Sequence, residues 1–126
     1  MIIIAVDENR DDLDLISDLI YDADPDSEII EYEDPLAALG YARQTRVDVA
    51  FIAIQMSDLN GLELGKYLKE LNPSVNIIFL SEDDDDAGKA MDMHASGYVV
   101  KPAEAERIEW ELEELRYPEY QKEHTT

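Results

Sequence analysis

Several short apolar runs of this chain end in side chains able to do chemistry. Asp7 and Glu8 follow the run at 2–6, residues 53–57 follow another, Ser81 and Glu82 a third, and Lys101 the run at 98–100. An adjacent acid pair is a natural holder of a divalent cation, but an ion held by one or two carboxylates keeps most of its water. The acids at 82–86 make calcium a rival to magnesium, although EF-hand spacing is absent. Lys101 lies among acids that keep an ammonium charged, which argues for an ion pair and against a Schiff-base nucleophile. Its expected partner is Asp7, Glu8 or Glu82, with Glu82 favoured because it arrives from the adjacent strand. Ser81 has no histidine beside it by any motif logic. His94 reads as a packed histidine on the inner or flanking face of a helix, and His124 as a tail residue without a role.

These residues are positioned by alternating elements. The β-branched run at 2–6 has the character of a strand buried on both faces of a parallel sheet. Leu13, Ile16, Leu19, Ile20 and Ala23 follow at helical spacing, and Pro25 ends that helix. A second strand is marked by Ile29, Ile30 and Tyr32. Asp34-Pro35 then forms a cap followed by proline at the first helical position, with Leu36, Leu39 and Ala42 along the helix. The third strand is predicted over 47–54, the fourth over 75–80 and the fifth over 98–100. Leu64, Leu68 and Leu71 share a helical face between the third and fourth. A helix over 87–95 should turn Ala87, Ala90, Met91 and His94 inward. The last stripe is Ala105, Ile108, Leu112 and Leu115, with Trp110 off it. Five strand–helix repeats predict a doubly wound α/β sheet with helices on both faces and a site beyond the carboxyl ends of the strands.

The 126 residues suit one domain, read as 1–116 with a polar tail at 117–126. Ten Lys+Arg against 31 Asp+Glu give a formal net charge of -21. That charge repels phosphate backbones and anionic lipid, so nucleic acid and membrane are not expected as direct partners. There are no cysteines. The apolar runs are too short to span a bilayer and no secretion signal is legible, so a cytoplasmic domain is expected.

IIIAVDE at 2–8, DVAFIAIQMSDLNGLEL at 48–64, NIIFLSE at 76–82 and ASGYVVKP at 95–102 together resemble the receiver domains of two-component response regulators. The second and last stretches are most similar to receivers that precede LytTR-type DNA-binding domains, and no such effector is read in these residues. The resemblance implies a flavodoxin-like, CheY-like (βα)5 fold with parallel strand order 2-1-3-4-5. It also implies phosphoryl transfer from a histidine kinase to an aspartate after the third strand. By position, Asp7, Glu8 and the backbone carbonyl of Gln55 would hold Mg²⁺. Ser81 would bond the phosphoryl oxygen, Lys101 would pair with it, and Tyr98 would be the switch aromatic. The face of the fourth helix, fifth strand and fifth helix would be the output and dimer surface.

The acceptor position falls on Ala53, whose methyl can neither form an acyl phosphate nor ligate a cation. Asp48 belongs to the start of the strand, about 15 Å away at roughly 3.3 Å per residue, and Asp58 lies past the loop. Glu82 stands where receivers keep a small residue, the acids at 82–86 repel one another, and Gly88 costs its helix about 1 kcal/mol against alanine. The expectation is a non-enzymatic, phosphorylation-independent receiver-like module that binds a histidine kinase or effector domain, holds Mg²⁺ weakly, and is a monomer or weak dimer. The alternative is an engineered receiver scaffold with a redesigned site around Ala53, Glu82 and Lys101. Burial of Glu82 in an apolar pocket would favour it, and pairing with Lys101 would count against it. A third reading, an ordinary receiver silenced by one substitution, is tested by Ala53→Asp.

Overall fold

The computed structural model describes residues 1–118. Five strands alternate with five helices: β1 (Ile2–Val6), α1 (Arg10–Ala23), β2 (Glu28–Tyr32), α2 (Pro35–Gln44), β3 (Val49–Ala53), α3 (Gly61–Leu71), β4 (Asn76–Ser81), α4 (Ala87–Asp92), β5 (Gly97–Val100) and α5 (Ala105–Glu113). The strands form one parallel sheet in the order β2-β1-β3-β4-β5. The reversal of direction beside β1 opens the crevice in which such folds place their sites.

Each strand sends alternate side chains to opposite faces. On one face Ile3, Ala5, Val49, Phe51, Ile78, Leu80 and Val99 meet Leu13, Ile16 and Ile20 of α1 and Ile108 of α5. On the other, Ile4, Val6, Ala50, Ile52, Ile77 and Phe79 meet α2, α3 and α4. All of β3 and β4 is buried, as the unbroken apolar runs require. Helix starts are capped by side chains: Asn9 accepts from the Asp12 amide, Asp34 from Leu36 and Asn60 from Leu62.

Several boundaries and faces differ from expectation. The third strand pairs only over Val49–Ala53, with Val47 and Ile54 buried as flanks. The fourth helix has six residues rather than nine and buries only Ala90. Met91 is 75% exposed and His94 is also exposed, which corrects their inward assignment. The 87–95 spacing is helical, but His94 takes a left-handed φ of 59° and the Ala95 amide returns to the Ala90 carbonyl, so the helix is too short to present a full face. Leu36 and Leu71 are exposed at helix ends. Tyr117, read as the start of the tail, is tied to the base of β4: its amide donates to Asn76 Oδ1 at 2.7 Å and its carbonyl accepts from Asn76 Nδ2 at 2.8 Å. Residues 119–126, including His124, lie outside the described residues.

Candidate functional site

Strand parity brings the key positions to one side of the sheet. Asp7 continues the Ile3–Ala5 face, Ala53 the Val49–Phe51 face, and Lys101 the Val99 face. All three therefore lie toward α1 and α5. Ser81 continues the opposite face with Ile77 and Phe79. Ala53 is fully buried at the tip of β3, paired with Leu80 of β4. The chain folds back closely there. A Cβ on Gly61 would fall 2.1 Å from the Ala53 carbonyl oxygen, so only glycine lets α3 start at that spot.

Lys101 lies between two acids. Its Nζ donates to Asp7 Oδ2 at 2.8 Å and to Asp12 Oδ2 at 2.9 Å, while Glu82 Oε1 stands 3.8 Å away. Burial pushes the ammonium pKa down, but the bonds to Asp7 and Asp12 outweigh it and hold the pKa above the ordinary lysine value. Asp7 is 2% exposed and its other oxygen accepts from the Asn9 amide at 3.0 Å. The structural ion pair expected for Lys101 is present, but the partner favoured from sequence is displaced. Glu82 is exposed, with 62% of its side chain in solvent. It is thus neither buried in an apolar pocket nor the main partner of Lys101.

Asp12 is the residue that sequence reasoning missed. It lies in the first turn of α1, whose start is fixed by Asn9, and this register turns its carboxylate to Lys101. The available signal was an acid one helical turn past the Asn9 cap.

Glu8 faces away from the acid–lysine cluster. It accepts from both the hydroxyl and the amide of Ser57, the hydroxyl bond being 2.7 Å, and these bonds hold its carboxyl below the usual range. Gln55, assigned only a backbone role, contributes its side chain. Nε2 donates to Ser81 Oγ at 3.0 Å, and Oε1 accepts from the Glu82 amide at 3.2 Å. Tyr98, half-buried, donates its hydroxyl to the Asp83 carbonyl at 2.7 Å and so ties β5 to the acidic loop.

These donors do not fit a magnesium site of the receiver kind. One Asp7 oxygen is taken by Lys101, Glu8 is engaged by Ser57, and Ala53 offers no side-chain oxygen. Among the described residues no three His, Cys, Asp or Glu side chains are grouped to hold a metal ion.

The response regulator receiver domain matches this chain over residues 3–113. The chain belongs to the response regulator receiver family. It is 40% identical over 93 residues to the transcriptional regulatory protein BtsR of Salmonella typhi, covering 72% of this chain and 38% of that protein. It is 38% identical over 71 residues to the sensory transduction protein LytT of Bacillus cereus, covering 56% of this chain and 29% of LytT. The chain thus spans well under half the length of these relatives. Among solved structures, the response regulatory domain of protein mrkE from Klebsiella pneumoniae matches with a TM-score of 0.83 and 26% identity, covering 91% of this chain and 94% of that one. A CheY-like receiver from Methanospirillum hungatei matches in fold with a TM-score of 0.82 and 19% identity, covering 97% of each chain. The LytTR-like character read from the sequence agrees with the LytT likeness. No helix among the described residues is long and apolar enough to cross a membrane.

Proposed function

We propose that this receiver domain is phosphoryl-silent at the usual position and signals by binding protein. The observation that carries this reading is the buried Ala53 methyl at the tip of β3. An acceptor must supply an oxygen nucleophile, and a methyl supplies none. The Asp7–Lys101–Asp12 cluster supports the same reading, because Lys101 is compensated without a phosphoryl group. The domain then has no enzymatic step, weak Mg²⁺ affinity, a cytoplasmic setting and a histidine kinase or effector domain as partner. Its charge disfavours direct contact with nucleic acid or membrane.

The test is incubation with acetyl phosphate, or beryllofluoride, and Mg²⁺. Intact mass and the amide NMR spectrum should both stay unchanged. A stoichiometric acid-stable, hydroxylamine-labile phosphate on this chain would overturn the proposal. No observation favours the redesigned-site reading: Glu82 is solvent-exposed, and an exposed carboxylate lacks the apolar surroundings that would make it a base near neutrality.

A further inference from the structure

At the end of the sheet opposite Lys101, α2 and α3 stop side by side at their C-caps, Thr45 and Asn72. Between them lies a cleft of about 360 Å³. Its floor is Val47, Leu68 and Val75, all buried. Leu71, 46% exposed, borders it on the α3 side, and Arg43 and Arg46, both exposed, on the α2 side. The wall is tied in place by Asn72, whose Nδ2 donates to the Val47 carbonyl at 3.2 Å and whose Oδ1 accepts from the Ser74 amide at 3.1 Å.

We propose that this cleft binds an acidic segment of a protein partner, with an apolar side chain against Leu68, Leu71 and Val75 and a neighbouring carboxylate held by Arg43 and Arg46. The inference rests on the reading of the chain as a protein-binding module and gives the chemistry of one partner. The exposed rim leaves the cleft open along one side, which suits a side chain presented by a continuing chain. Guanidinium groups at such a rim offer paired donors that match a carboxylate.

Charge selects the occupant. Arg10, Lys89, Lys101 and Arg107 are each committed to acids of this chain, whereas Arg43 and Arg46 have no ion-pair partner among the described residues. They are also the only charged residues among the described ones lining the cleft. The nearby Asp48 is turned to the Ile2 amide, which its Oδ2 accepts at 2.8 Å, and Lys69 is turned to the His94 carbonyl. Two helix C-termini each bring about half a negative charge, so two guanidiniums leave roughly one positive charge over. The formal charge of -21 repels a polyanion as a whole. A single carboxylate seated here feels mainly the two arginines, because charges beyond about 8 Å are screened at physiological salt.

The probe is an acetylated, amidated peptide Ala-Leu-Glu-Leu-Ala, titrated into the full chain and followed by NMR. It should shift the Thr45, Leu71 and Asn72 amides saturably. Glutamine in place of glutamate should weaken binding about three- to fivefold, the scale of an exposed charge pair. Alanine in place of both leucines should weaken it by about tenfold or more. The double variant Arg43→Gln, Arg46→Gln should bind the glutamate and glutamine peptides alike, a result that a merely structural role would not give. Lys66→Gln, exposed on α3 outside the cleft, should change affinity by less than about twofold. Equal binding of the glutamate and glutamine peptides by the parent, equal binding of the alanine peptide, or shifts that miss residues 42–47 and 68–75 would overturn the proposal. So would displacement of the peptide by an equimolar DNA oligonucleotide, which would make the site a polyanion site. Concentration-dependent shifts of the same amides without peptide would overturn it in favour of a second copy. A chain that is phosphorylated yet still binds this peptide would defeat only the phosphoryl-silent reading, and a silent chain that fails to bind it would defeat only the cleft.

Discussion

At Lys101 one cation serves a nearly inaccessible acid. Asp7 is 2% exposed and Lys101 13%, whereas Asp12 is 37% exposed. Removing the lysine strands a buried charge, so Lys101→Ala should cost roughly 3–5 kcal/mol. Asp12→Ala removes a partner that water can replace and should cost under about 1 kcal/mol. Urea denaturation of the two variants checks this ratio; equal losses would mean that Asp12 carries the site. Glu111 gives the opposite kind of signal. Burial raises its pKa, and the hydrogen bond and charge of Arg107 only partly offset the rise. The folded chain therefore holds this proton more tightly than the unfolded chain. Stability should fall as pH climbs from the ordinary 4.5 through the raised value, and stay lower above it. Glu111→Gln lacks this loss. Its urea midpoint should match the parent in acid and exceed it near neutrality, and a constant gap across that range would contradict the assignment.

At the scale of elements, two glycines in helices have opposite meanings. Gly61 opens α3 against the backbone of β3, where a Cβ would come within 2.1 Å of a carbonyl oxygen and 2.8 Å of Ile54 Cα. No flexible side chain can yield there, so Gly61→Ala should destabilise by more than about 2 kcal/mol. A Cβ added at Gly88 in α4 would meet nothing within 4 Å. Gly88→Ala should stabilise by about 0.5–1 kcal/mol through helix propensity and a less flexible unfolded chain. Thermal melts of both variants test the pair together. Helix propensity alone marks Gly88 as a weakness of its helix but is silent on Gly61, because the constraint on Gly61 comes from a strand eight residues away.

For the whole molecule, 31 acids against ten bases dominate long-range electrostatics. The ion pairs of Arg10 with Asp14, Glu31 and Glu33 are local and largely exposed, so they offset little of the self-repulsion. Raising ionic strength from about 0.01 M to about 1 M shortens the screening length from ~30 Å to ~3 Å. The urea midpoint should rise over that range. A fall would show that attractive pairs, rather than net repulsion, control stability. The same field should keep the isolated chain from self-association at low salt, which sedimentation velocity measures.

The alternation of apolar runs with helical stripes is a local property, so element order, the parallel doubly wound sheet and the strand-end positions of Asp7, Ala53, Ser81 and Lys101 were all legible in the chain itself. The Asp34-Pro35 pair marked the start of α2 for the same reason, whereas the Asn9 and Asn60 caps were seen only in the structure. Partner choice was not legible, because it depends on where helix register and strand parity aim each side chain. The choice of Asp12 over Glu82 for Lys101 needed the rotation of α1 about its Asn9 cap. Burial of Glu111 needed the docking of α5 on Gly97, since a lone acid beside an apolar stripe reads as surface until a neighbouring strand offers a gap without a Cβ. Periodicity in one dimension determines which residues reach the core and the sheet edge; distances between residues far apart in the chain are set only when the layers close on one another.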